Sequence, residues 1–130
     1  MKISIKILVL TFILSATSAC VMQSREETFQ ATMRAYEQVL RWRKIEKVNQ
    51  FRKKPLVFSG IAKERFKNIK VTDYEVINIE NKTALSNIVT VDIKYYHEQY
   101  ARVSTIQDRQ EWHFDEAMHV WYISSPLPNF

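Results

Sequence analysis

The sequence predicts an α+β fold: a long amino-terminal helix packed in a curved antiparallel sheet of three to four strands. Three observations lead there. Phe29, Met33, Tyr36 and Leu40 recur at three- and four-residue steps and make one apolar helical stripe. Val89, Val91, Ile93 and Tyr95 alternate with Thr90, Asp92, Lys94 and Tyr96, which is the period of a half-buried strand. The helical pattern comes first and the strand patterns follow it, an order that lets one face of the sheet close over the helix.

The helix is expected from about Glu26 into the early fifties, with Ser24 and Glu27 spaced as a capping box. Its stripe slips near Arg41-Trp42-Arg43, and Ile45, Val48 and Phe51 restart it on another phase. That slip predicts either a bend or a second short helix packed at an angle. Lys53-Lys54 before Pro55 reads as a helix stop, and Pro55 to Gly60 as a loop. Everything after it looks strand-like. Val71, Tyr74, Val76, Ile77 and Ile79 form a β-rich run, and Asn81-Lys82-Thr83 supplies a turn before the Val89–Tyr96 strand. In the next run Ile106, Gln110, Trp112 and Phe114 share one side, with Gln107, Arg109, Glu111 and His113 on the other. Asp115 to Met118 turns the chain into a last strand, Val120 to Ile123.

The amino terminus has a different character. Lys2 and Lys6 precede an uncharged apolar stretch, Ile7 to Leu14, and then a run of small residues, Ser15 to Ala19. Positive, apolar and small in that order is the layout of a secretory signal peptide. The apolar stretch falls short of the roughly 20 residues a membrane span needs. Cys20, the only cysteine, directly follows the small run. Leu14 to Cys20 resembles the lipobox of bacterial lipoproteins, with Thr17 standing where leucine is usual. The resemblance implies that Cys20 becomes the first mature residue and carries acyl chains, palmitate among them. Stable anchoring takes more than one chain, which a triacylated cysteine provides. Val21 stands where an aspartate would signal inner-membrane retention in enteric-type lipoproteins. The expected location is therefore the outer membrane, facing the periplasm. Cleavage after Ala19 to give a soluble secreted protein is the alternative. The expected organisation is a signal peptide over 1–19, the lipidated cysteine and a tether over 20–25, and a single cone-like domain over 26–130.

Loss of Lys2 and Lys6 with the signal lowers the formal net charge from +5 to +3. Arg25 to Lys70 holds 13 basic and 5 acidic residues, and Val71 to Phe130 holds 4 basic and 9 acidic. The basic half could rest on anionic head groups or an envelope partner, or simply be a solvated face. Nucleic acid is not an expected partner outside the cytoplasm. Gly60 is the only glycine, which excludes phosphate-cradling loops, dinucleotide turns and nucleophile elbows.

Arg41-Trp42-Arg43 at the end of the helix, Tyr74-Glu75-Val76, Tyr95-Tyr96, Gln110-Glu111-Trp112, Trp121-Tyr122 and the tail Leu127-Pro128-Asn129-Phe130 together resemble a group of small bacterial lipoproteins of unknown function. The resemblance implies a cone similar to the nuclear transport factor 2-like superfamily, a curved sheet wrapped around a long helix. Members of that superfamily include enzymes, binding modules and assembly domains, so the fold alone gives no function.

Site residues are sparse. Glu111 and His113 share a strand face and His119 lies across a turn, but that spacing points to no metal site or cofactor. The expected inward strand positions, Val89, Val91, Ile93, Tyr95, Gln110, Trp112 and Phe114, include no carboxylate or histidine. No catalytic residue is therefore nominated, and an isomerase- or dehydratase-like activity keeps only residual weight. Tyr36, Trp42, Tyr95, Gln110 and Trp112 could line an apolar ligand pocket, or with Trp121 fill the core. The expected function is a non-catalytic interaction or assembly module of the cell envelope; the alternative is a carrier or sensor for a small apolar ligand.

Overall fold

The computed structural model describes the side chains of Met22–Phe130; Cys20 and the signal segment lie outside the described residues. The elements run α1 (Lys2–Arg41), a 3-10 helix η1 (Ile45–Phe51), α2 (Gly60–Lys67) and four strands, β1 (Ile69–Thr83), β2 (Ser86–His97), β3 (Arg102–Asp115) and β4 (Val120–Ile123). The strands form one antiparallel sheet in the order β1-β2-β3-β4. The fold is α+β, with an amino-terminal helix and a four-stranded antiparallel sheet.

The chain forms two compact units that divide at Thr32/Met33. In the first unit, the expected tether before Glu26 is instead helical. Ser24 caps nothing; its carbonyl accepts the Thr28 hydroxyl at 2.8 Å. Gln23 and Gln30 donate to Glu27 and Glu26 at 3.3 and 2.8 Å, four-residue pairs that favour helix on both sides of the expected boundary.

In the second unit α1 ends where its stripe slips. Lys44 N–H donates to the Val39 carbonyl at 3.1 Å and Arg43 N–H to that of Leu40 at 3.3 Å, with Arg43 at φ 58. This is a Schellman stop with arginine in the left-handed position that glycine usually fills. The chain re-enters as η1, the second short helix, which buries Ile45 and Val48. The Asn49 side chain closes the next loop by bonding both Leu56 N–H and C=O, at 2.8 and 3.0 Å. The segment after this loop is not all strand. Ser59 caps the eight-residue α2 by accepting from Ala62 N–H at 3.1 Å, and only Phe66 of that helix is fully buried.

β2 keeps its alternation: Val89, Val91 and Ile93 are buried on the inner face. β1 runs through the expected Asn81–Thr83 turn, and the reversal falls on Ala84-Leu85. Its register against β2 shifts three times, between Val71 and Asp73, Val76 and Asn78, and Asn81 and Thr83. Such bulges bend and twist a strand, which curves the edge of the sheet. On the inner face Trp112 of β3 meets Tyr36 of α1 edge-on, ring centres 5.5 Å apart, and Tyr36 meets Phe51 likewise at 5.4 Å.

Candidate functional site: a buried polar network and outer grooves

The carboxyl-terminal half of β3 brings Asp108, Gln110 and Trp112 inward at two-residue steps, all buried. Gln110 organises them. Its amide nitrogen donates to Asp108 Oδ2 at 2.8 Å and to the Tyr74 hydroxyl at 2.9 Å, and its carbonyl accepts Trp112 Nε1 at 3.1 Å. Arg52, immediately after η1, is buried and donates to the Ser125 carbonyl. Asp108 corrects the expectation that no carboxylate faces inward. The alternation that places Gln110 and Trp112 inward also places residue 108 there.

Burial disfavours charge throughout this network. It holds the Asp108 carboxyl above its usual range, against opposing pulls from the Gln110 hydrogen bond and the Arg52 charge. It raises the Tyr36 phenol strongly, with Asp108 and Tyr74 adding to the effect. The Arg52 guanidinium pulls the Tyr36 phenol the other way without a well-formed hydrogen bond, and the hydroxyl has no partner. Tyr74 is raised as well, first by burial. A carboxyl group between two phenols is the raw material of acid–base chemistry, but a base must reach a bound substrate. Asp108 is 7% exposed and Gln110 1%, so the carboxyl is closed to a substrate-sized molecule in this conformation.

The five residues considered for a ligand pocket separate. Tyr36, Gln110 and Trp112 stand together as interior. Tyr95 is buried against Phe130, ring centres 5.1 Å apart. Trp42 is 71% exposed and joins none of them, because the helix stop leaves it on the surface. Glu111 is bound to Arg109 at 2.6 Å, His113 to the Ser124 hydroxyl at 3.1 Å, and His119 lies edge-on to Phe114. Among the described residues no three His, Cys, Asp or Glu side chains gather as a metal site.

Three grooves lie on the surface of the described residues. An apolar groove of about 410 Å³ runs between α2 and the tail, with Phe58, Phe66, Ile69 and Leu127 among its walls. A second, of about 520 Å³, includes His97, Gln99, Tyr100 and Asn68. A third, of about 330 Å³, is basic, with Arg43, Lys44, Lys47, Lys63 and Lys67 against Glu46. Lys63 is paired with Glu46 at 2.9 Å and Arg43 with Glu98 at 2.7 Å. The tail Leu127–Phe130 stood out in the sequence, but the grooves themselves had no local signal, since segments far apart in the chain build them. Comparison with protein-family models, with curated proteins and with solved structures finds no match.

Proposed function

We propose that the protein is a non-catalytic, lipid-anchored module of the bacterial cell envelope, and that it works by binding another envelope protein at its surface. In this reading its domain is a small cone of the nuclear transport factor 2-like kind, held through Cys20 at the periplasmic face of the outer membrane. The observation that supports a binding role is the burial of the interior polar groups. Tyr36 of α1 and Gln110 and Trp112 of β3 are at 1% exposure or less, and the inward carboxyl is tied to the Gln110 amide. The surface offers the recognition features instead, including the basic groove, which suits anionic head groups or an acidic partner.

Anchoring supports the location and is tested by Cys20→Ser. The motivation is the small-residue run that ends at the only cysteine. The variant is expected to leave the membrane fraction or to accumulate as an uncleaved precursor. Normal processing with retention in the membrane defeats the anchor.

The apolar groove favours a second reading, a carrier or sensor of a small apolar ligand. Its volume of about 410 Å³ lies inside the roughly 300–1,000 Å³ of small-molecule sites. The site then lies between α2 and the tail, away from the interior residues Tyr36, Gln110 and Trp112.

A further inference from the structure

We infer that the two grooves meeting at Phe130 form one binding site for an anionic amphiphile, a single-chain fatty acid in the simplest case. The acyl chain occupies the apolar groove, and the carboxylate lies beside Arg65 and His97. The inference rests on the carrier reading and gives it a ligand class.

Arg65 and Phe130 line both grooves, so the two compartments share a wall and a charge. Phe130 is fixed as that wall by edge-on contacts to Phe66 and Tyr95, at 5.6 and 5.1 Å between ring centres. On one side the lining is Ile45, Phe58, Phe66, Ile69 and Leu127 with Pro126, a surface that suits methylene groups and has Arg65 as its one charged side chain. On the other side the lining turns polar.

The polar side offers a donor to an anion. His97 lines it, its ring 4.4 Å from that of Tyr100. Arg65 is exposed and makes no ion pair among the described residues. A planar guanidinium at an apolar rim recognises a carboxylate with two parallel hydrogen bonds. Glu64 also lines this groove, but its carboxylate lies 3.8 Å from Lys67 Nζ. A neutral apolar molecule would fill the first compartment and leave Arg65 and His97 as they are. An anionic amphiphile uses both compartments.

The test uses the full protein as isolated from its envelope, placed in phosphatidylcholine nanodiscs. Photoreactive dodecanoate and the matching photoreactive dodecanol are each applied, and adducts are mapped by mass spectrometry. Dodecanoate is expected to label the segments around Phe58 and Leu127 about tenfold more efficiently than the alcohol, the scale of one charge-assisted contact. Arg65→Gln should abolish that preference and Arg65→Lys restore most of it. Equal labelling by the two probes, or a preference unchanged in Arg65→Gln, overturns the anionic ligand and leaves the carrier reading standing. No labelling at these segments by either probe overturns both.

Discussion

Trp112→Ala is expected to lower stability by about 3–5 kcal/mol, the range for emptying an aromatic core position. That is a large share of the roughly 5–15 kcal/mol that holds a domain folded. Three features put Trp112 in the core. It is fully buried, it meets Tyr36 edge-on at 5.5 Å, and its indole N–H satisfies the Gln110 carbonyl. Alanine removes the ring contact, opens a void beside Tyr36, and leaves the Gln110 carbonyl without its donor. Thermal and denaturant melts read the effect. Melting within a degree or two of the parent would mean that Trp112 lines a ligand pocket, and its place in the core would be wrong.

The second large effect concerns pH. The Asp108 carboxyl is raised by burial, so its share of stability is complete below the usual aspartate value of 3.8 and is lost as pH rises through the higher folded value. Asp115 has the opposite sign. Its hydrogen bond to Lys53 lowers it, so its share is present above 3.8 and is lost as pH falls through the lower folded value. Asp108→Asn keeps an oxygen for the Gln110 amide and removes the buried charge. It is expected to raise stability at neutral pH by ~1 kcal/mol and to flatten the decline above the acid range. Asp115→Asn should weaken the protein at neutral pH and flatten the acid limb instead. Melts of both variants from below pH 3.8 to neutral pH check the pair. A destabilised Asp108→Asn protein at neutral pH would show that the ionised carboxylate is held by partners strong enough to outweigh its burial.

These residues also show what the sequence could reveal. The β2 alternation was legible because an internal strand of a meander keeps strict inside–outside order, with Val89, Val91 and Ile93 wholly buried. The end of the α1 stripe was legible too, because the phase slip at Arg41–Arg43 is where the chain turns. β1 was harder: three register shifts break its period and carry it past the expected turn. The eight-residue α2 buries only Phe66, too little to set a helical period. Asp108 was on the right phase, but a carboxylate reads as a solvent-facing residue unless its partners are known. Gln110 lies two residues along the same strand, but Arg52 comes from a distant segment of the chain. Trp42 was considered for a pocket or the core although it stands where the stripe slips, and the left-handed Arg43 beside it shows why it ends on the surface. Tyr95 was correctly inward, yet its neighbour Phe130 arrives from the far end of the sequence.

Native mass spectrometry of the protein purified from its own cell envelope tests the proposed role most directly. An anchored binding module predicts a chain that begins at Cys20, carries the mass of its acyl groups, and retains a bound envelope protein. A chain that still contains residues 1–19, or one whose Cys20 is unmodified, would contradict it.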